Sequence, residues 1–437
     1  MDYHKYNWQP MSSIINHSYF PSGNYFPFNN RTHTMFLRRK QVKPFEIMKG
    51  IYWVGALDYN IRNFHGYSYT THHGTTYNAY LVVGDKIALV DSVMNQFTKE
   101  MLSRISEVID PTTIDYMISN HTEMDHSGAT PEILKIVPDA KLVCTSKAVD
   151  QLKKHYDDGW NIQTVKTGDE IDLGGKTLRF YEAPMLHWPE SMFTYYVEEQ
   201  LLLPNDAFGQ HYATEQRFAD EVDQHVLWRE AEKYYANILW PLSRMVQRKI
   251  EEVVELGLPI KMIAPSHGLI WRKDPLQIVT RYLEWAKGER VHDKVIITWD
   301  TMWESTTKLA RAMAEGVQSE GLEPKLKLIP HSDRYDIMAD LLEARGILVG
   351  SSTMHNNVLP NVASVLSDIE LLKPVGKKGA AFGSYGWGGG AVKKIQESME
   401  KGKMDIIMEP FTVKWVPDDA ELEQAFNFGK EFAKKVK

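Results

Sequence analysis

Four side chains able to bind a metal fall within six positions, His121, Glu123, Asp125 and His126 in His-Thr-Glu-Met-Asp-His. They follow the apolar run Tyr116–Ile118 closely, so they sit on the turn that leaves a strand. Crowding of this kind is what metal ligation requires, and surface polarity explains it poorly. Three isolated candidates follow: His187 in Pro-Met-Leu-His-Trp, Asp206 in Leu-Pro-Asn-Asp-Ala and His267 in Ala-Pro-Ser-His-Gly. Each ends an apolar, strand-like run and precedes a turn, and strand ends can gather side chains at one rim of a sheet. Taken singly, His187 is more often a satisfied core histidine and Asp206 more often a helix cap.

A second set lies in the C-terminal third. Asp300 is followed by Thr301, Met302, Trp303, Glu304, Ser305 and Thr306, leading from the strand-like Val295–Thr298 into a helix. Hydroxyls beside the free N–H groups of a helix start form a phosphate cradle. No lysine stands in it, so a triphosphatase P-loop is excluded. After Ile347–Gly350 come Ser352, Thr353, Met354, His355 and Asn356; after Ala380–Gly383 come Ser384, Tyr385, Gly386, Trp387 and Gly388. Aromatic residues beside glycines suit a flat ring that is stacked upon and approached by backbone. Gly386-x-Gly388 follows a late strand, which is weak support for a dinucleotide fingerprint.

The elements that must position these residues change character along the chain. From Gly50 to about Gly268, short strands such as Ile51–Gly55, Tyr80–Val83, Ile87–Asp91 and Leu178–Tyr181 alternate with turns. Asp85-Lys86 and Gly174-Gly175 suit hairpin tips. Helix-like stretches, Thr130–Ile136 and Gln247–Leu256, lie between, which is compatible with a layered α/β sandwich. From about Val291, apolar strands alternate regularly with helices: Val295–Thr298, Leu326–Ile329, Gly346–Gly350, Ala380–Gly383 and Thr412–Trp415. That rhythm indicates a doubly wound parallel sheet, whose ligands bind at the carboxyl ends of its strands. The charged stretch Trp285–Lys294 reads as the linker.

The chain has 437 residues, enough for two or three domains. Its 43% apolar and 24% charged composition is that of an ordinary globular protein. The single cysteine, Cys144, excludes a disulfide scaffold, a cysteine-ligated cluster and a CxxC motif. A net charge of −7 argues against a nucleic-acid surface. No apolar run approaches a membrane span of about 20 residues. Residues 1–44, poor in acids and rich in Asn, Tyr, Phe and His, read as a flexible extension. A cytoplasmic location is expected, with organellar targeting through that extension left open.

The order of the metal-binding pieces resembles the metallo-β-lactamase-like superfamily, whose zinc hydrolases carry HxHxDH at the first loop. Glu123 replaces the second histidine here, and with the later His, Asp and His the set resembles the flavodiiron protein family. The Thr-Met-Trp-x-Ser-Thr loop and Ser-Tyr-Gly-Trp-Gly-Gly-Gly resemble that family's flavodoxin-like half, departing at Ser352, where proline is frequent. The resemblance implies a metallo-β-lactamase-like αββα diiron domain over 45–288 and a flavodoxin-like FMN domain over 291–437. It implies two non-haem irons per chain. His121, Glu123 and His187 would bind one, Asp125, His126 and His267 the other, and Asp206 would bridge. Mixed nitrogen and oxygen ligands favour iron or manganese over a soft-ligand metal. Three carboxylates with a bridging hydroxide would neutralise two divalent cations. Asn63–Tyr67 and Gly74–Asn78 look like the family's N-terminal signature, which would put His65 and Tyr67 just outside the iron ligands.

The implied activity is reduction of O2 to water, of NO to N2O, or of both, with electrons passing through FMN. A fused rubredoxin would need four cysteines, so a separate donor is expected: rubredoxin, a deazaflavin coenzyme or a flavin reductase. A head-to-tail homodimer or dimer of dimers would bring one chain's FMN to the other's irons. Two competing classes are a zinc hydrolase with an accessory flavodoxin-like domain and a redox sensor with a relic site. Glu123 and the flavin count against the first, the complete ligand set against the second.

Overall fold

A computed structural model describes residues 43–437 except 67, 157 and 158. The expectations for the N-terminal extension (1–44, but for its last two residues) and for Tyr67 lie outside the described residues. Two sheets of seven and five strands come first. In the larger, strands Phe45–Met48, Ile51–Trp53, Tyr80–Val83 and Ile87–Val90 are antiparallel neighbours. Tyr116–Ile118, Lys141–Thr145 and Ile162–Val165 then add in parallel. The smaller runs antiparallel through Glu170–Asp172, Thr177–Glu182, Met192–Tyr196 and Leu201–Leu203, with Met262–Ile263 parallel at its edge.

Alternation decides which face each residue covers. Val82, Val90, Ile118 and Val143 meet Leu178, Phe180, Tyr196 and Leu203 between the two sheets. Their sequence neighbours Leu81, Leu89, Met117 and Leu142 turn outward onto helices Thr98–Ser106 and Thr130–Ile136. Phe193 and Leu202, on the far face of the smaller sheet, pack under helices Ser243–Glu255 and Leu276–Lys287. The result is the αββα sandwich.

The C-terminal sheet is parallel throughout, ordered Glu323–Leu328, His292–Asp300, Ala344–Ser352, Lys378–Tyr385, with Asp405–Ile406 and Phe411–Lys414 both on the last of these. Helices Ser305–Ser319 and Asp419–Val436 cover one face. They approach so closely that a Cβ on Gly316 or Gly429 would run into the other helix's backbone. Helices Arg334–Leu342, Pro360–Leu372 and Ala391–Lys401 cover the other.

The stretch Trp285–Lys294 is not a linker as a whole. Trp285–Lys287 end a helix, stopped by Gly288 at φ 67°, and His292–Lys294 begin the first strand, in chain order, of the parallel sheet. Only 288–291 are irregular. The two halves then meet along a seam that is apolar in part, since Tyr282 and Trp285 share a cluster with Ile337 and Leu341. The rest is ionic. Arg229 reaches Asp340 at 3.1 Å, Lys233 reaches Asp336 at 3.0 Å, and Thr70 donates a hydrogen bond to Asp333. His72, Asp333 and Asp336 are close enough to hold a cation, but the buried Lys233 ammonium already serves them. A charged cavity of about 890 Å³ opens beside this seam.

Glu232 lines that cavity, 9% exposed. Burial, against the pull of Arg229 and Lys294, pushes its carboxyl up to about 7. Folding therefore favours the protonated form, fully below the ordinary value of 4.5 and progressively less as pH rises through about 7. Glu232→Gln removes this loss and is expected to raise stability at slightly alkaline pH by on the order of 3 kcal/mol. The gain should shrink towards the ordinary carboxylate value. Thermal midpoints across pH check it, and a constant difference would refute the assignment.

Candidate metal centre

The loop after Tyr116–Ile118 runs into a short helix, Met124–Ser127. Glu123 occupies the cap position, yet its side chain makes no capping bond and turns into the site. Asp125 and His126 lie in the helix itself, so one turn of helix, rather than an extended loop, aims them inward. His187 comes from the connection between Thr177–Glu182 and Met192–Tyr196, and Asp206 from the turn after Leu201–Leu203. His267 stands in the turn after Met262–Ile263. There Gly268, at φ 76°, lies where a Cβ would overlap Gln210.

All seven residues converge. His121, Glu123, His187 and Asp206 form one group, and Asp125, His126 and His267 a second. Asp206 faces both. Its Oδ2 lies 3.2 Å from His187 Nε2 and 3.6 Å from His121 Nε2, while its Oδ1 lies 2.9 Å from His126 Nε2 and 3.5 Å from His267 Nε2. Glu123 Oε2 is 3.2 Å from His121 Nε2 and 3.3 Å from His187 Nε2. Asp125 Oδ2 is 3.1 Å from His126 Nε2 and 3.0 Å from His267 Nε2.

Partners outside the group fix the imidazoles. His121 Nδ1 lies 2.8 Å from Glu190 Oε1, and His267 Nδ1 lies 2.5 Å from the Thr76 carbonyl. Both acceptors require a proton on Nδ1, so a neutral ring turns its Nε2 lone pair towards carboxylate oxygens. That contact is repulsive unless a cation lies between them. Asp125 Oδ1 and Oδ2 and both nitrogens of His126 are buried without a hydrogen-bond partner. Buried atoms left so are costly, and metal coordination satisfies them. The residues therefore fit a pair of hard cations.

The electrostatics agree. Burial alone would lower His187, but Asp206 and Glu123 raise it to about 10. Burial would raise Glu123, but His121, His187 and His65 hold its carboxyl far below the usual range. The site is a well of negative potential that favours positive charge at the Nε2 positions. His65 joins at the mouth, its Nε2 3.4 Å from Glu123 Oε1. A cavity of about 430 Å³ opens there, lined by Phe64, His65, Met94, Met124, His155 and Trp188 among others.

Several supporting residues escape a reading of the sequence. Asp91 accepts from Asn120 N at 2.8 Å and from Asn205 Nδ2 at 3.1 Å, tying together the residues that precede His121 and Asp206. Asn78 donates to the carbonyls of Pro265 and Gly268 and so holds the His267 turn. Glu190 takes hydrogen bonds from Thr122 N and Oγ1 besides His121, and its carboxyl is lowered to about 2 although burial opposes this. An acid three residues after His187 is the only signal the sequence offers for it.

A second cleft, of about 220 Å³, lies at the carboxyl ends of the parallel strands. Thr306 Oγ1 meets Ser352 Oγ at 3.0 Å and Ser384 Oγ at 2.9 Å, joining the three loops. Thr301 Oγ1 is buried without a partner, as a cradle awaiting a phosphate oxygen requires. Met302, Trp303, Ser305, Thr353, Tyr385, Gly386 and Trp387 line the cleft. Trp415, which the sequence marks only as a strand end, lines it too. The glycines serve neighbours in the chain. A Cβ on Gly386 would come within 2.9 Å of the Trp415 ring, and one on Gly388 within 2.9 Å of Asn356 Oδ1. His355 and Asn356, at φ 48° and 58°, form the exposed tip of a tight turn between Met354 and Asn357. Glu304, at φ 65°, is exposed ahead of the helix. The residues fit a flat, phosphorylated ligand.

Residues 75–268 match the family described as ODP family beta lactamase, and 297–429 match flavodoxin. The chain is 50% identical to a nitric oxide reductase of Moorella thermoacetica over 90% of its own length and 99% of that protein's. It is 43% identical to an anaerobic nitric oxide reductase flavorubredoxin of Aeromonas hydrophila over 89% and 79%. Among solved structures, rubredoxin oxygen:oxidoreductase from Desulfovibrio gigas matches with a TM-score of 0.87 at 39% identity, covering 90% of this chain and 98% of that one. The flavodiiron protein from Giardia intestinalis matches with a TM-score of 0.87 at 34% identity over 90% and 97%.

Glu190→Ala frees the His121 ring and is expected to weaken divalent-metal binding roughly 10- to 100-fold. Glu190→Gln, which keeps an acceptor, should lose less. Anaerobic titration of metal-free protein with Fe(II) checks this. Equal affinity in all three proteins would show that His121 does not depend on the carboxylate.

Proposed function

The chain belongs to the flavodiiron protein family, and from that membership we propose that it reduces O2 to water, NO to N2O, or both, at a non-haem diiron centre fed by FMN. The single observation that supports this best is Asp206, whose two oxygens face separate ligand groups. In this reading His121, Glu123 and His187 hold one iron, Asp125, His126 and His267 the other, and Asp206 joins them. When bound, the iron pair holds the diatomic substrate and FMN relays the electrons, four for O2 and two for a pair of NO molecules.

The protein's own residues do the rest. Glu190 and the Thr76 carbonyl keep His121 and His267 oriented with Nε2 inward. Phe64, Met94 and Trp188 narrow the mouth and limit water. His65 sets its Nε2 beside Glu123, within reach of the substrate cavity. In the flavin cleft, Thr301, Ser305 and Thr306 would hold the phosphate, with Trp303, Tyr385 and Trp387 available to the ring.

We place the border between the diiron domain (45–288) and the FMN domain (291–437) at the irregular residues 288–291. The two clefts share no lining residue. A head-to-tail homodimer, alone or as a dimer of dimers, would therefore set one chain's FMN against its partner's metal mouth. Trp303 and Trp387, 86% and 93% exposed at the flavin cleft, suit such burial. Electrons come from a separate donor: rubredoxin, or a deazaflavin coenzyme or flavin reductase in its place. A cytoplasmic location belongs to this reading. Among the described residues no helix is long and apolar enough to cross a membrane. The hydrolase alternative is weaker, since Glu123 adds negative charge and a flavin has no task in hydrolysis.

Anaerobic stopped flow of the reduced holoenzyme with each gas tests the activity. Flavin and iron reoxidised by neither gas would refute it. Glu123→His recreates the hydrolase-like pattern and removes one anionic ligand. Iron content and gas turnover should fall at least roughly tenfold, with FMN content unchanged. Full iron and turnover in that variant would show that Glu123 is no ligand. Gly386→Ala should expel or weaken FMN while metal content holds, because its methyl meets Trp415.

A further inference from the structure

Helices Ser243–Glu255 and Leu276–Lys287 do not close completely on the outer face of the smaller sheet. A cavity of about 310 Å³ remains between them. Its floor is Phe193 and Leu202 of the sheet, both fully buried. Its outer rim includes Val254 and Leu276, 67% and 49% exposed, so it opens towards solvent. Lys249 is the only polar side chain lining it, and its ammonium is engaged by the Glu182 carbonyl at 2.6 Å and Glu252 at 2.7 Å. A space so lined offers water no partners and favours apolar occupants.

Two of its lining residues are informative. Leu186 lines it, and the next residue is His187 of the metal centre. Phe208 lines it as well, two residues after Asp206. The cavity thus backs onto the two turns that supply an iron-facing imidazole and the bridging carboxylate. The mouth beside His65 and Glu123 is a different cavity, with no lining residue in common with this one.

We propose that this cavity binds the neutral diatomic substrates themselves, as an apolar store that feeds the metal centre from behind Leu186 and Phe208. The inference rests on the proposed gas reductase activity. O2 and NO carry no charge and make no strong hydrogen bonds, so they partition from water into hydrocarbon-like space. A store lined by the residue before His187 raises the local concentration of a sparingly soluble gas. It also gives the gas a space separate from the mouth beside His65 and Glu123.

Xenon, an apolar probe of similar size, tests the site on the holoenzyme. Pressurised crystals should show xenon between Leu186, Phe208 and Val253. Xenon pressure should lower kcat/KM for the gas in solution, leaving kcat at saturating gas unchanged. Val253→Phe fills the space from the helix side. It should abolish the xenon site and lower kcat/KM roughly three- to tenfold, with iron, FMN and saturated kcat retained. Should that chain fail to fold, xenon competition in the unaltered protein decides alone. No xenon in the cavity, or an unchanged kcat/KM once it is filled, overturns the store while leaving the reductase reading intact. A hydrocarbon chain released from the cavity on denaturation overturns it in favour of a lipid ligand. Failure of the unaltered holoenzyme to reduce either gas overturns both readings.

Discussion

Everything around the metal centre answers to one electrostatic constraint, the gathering of Glu123, Asp125 and Asp206 around one small set of histidines. Asp125 and Asp206 are almost wholly buried. Among the described residues, the ion-pair partners of all three are histidines, with no lysine or arginine. Uncompensated charge in such a place is very costly. Two divalent cations answer the deficit, and imidazoles that stay neutral let them do so without adding charge of their own. Removing one carboxylate therefore changes which metal suits the site, besides removing a ligand.

Holding those groups in register falls to residues that contact no metal themselves. The seven side chains come from four separate turns, and strand pairing alone does not set turns to within an ångström. Asp91 supplies the missing tie, clamping Asn120 and Asn205 at once. Asn78 does the same for the His267 turn, itself fixed by the Trp53 indole at 2.8 Å. This explains why Gly74–Asn78 reads as a signature although it binds nothing directly. Thr76 and Asn78 are part of the scaffold of His267.

The legible part of this protein is whatever repeats with a short period or crowds within a few positions. His121–His126 stands out because four ligands in one turn have no structural excuse, and the parallel sheet because apolar strands and helices alternate. His187, Asp206 and His267 are ambiguous alone and gain meaning only through resemblance. Glu190, Asp91 and Trp415 stay invisible because their roles depend on partners 29 to 114 residues away, or on a ring meeting a glycine across a cleft. The stretch Trp285–Lys294 misleads because its charge resembles that of a solvated linker. Trp285, Arg290 and His292 in fact all engage the buried Glu343.

The two clefts are built on opposite plans, and that difference bears on how they work together. The metal centre is braced from behind, by hydrogen bonds to His121 and His267 and by clamped turns ahead of His121 and Asp206, because reaction geometry tolerates little error. The flavin cleft is a shallow groove whose hydroxyls bond mainly to one another and whose tryptophans stand in solvent. Such a groove would hold a cofactor by its phosphate end and leave its ring edge open. An open edge is what electron exchange with two partners requires, a donor on one occasion and a metal centre on the next. The ionic seam between the halves is then the element that fixes where each site faces. Its buried charges specify one arrangement of the two domains more sharply than the apolar cluster beside them could, because a misplaced seam would leave the buried Lys233 without Asp333 and Asp336.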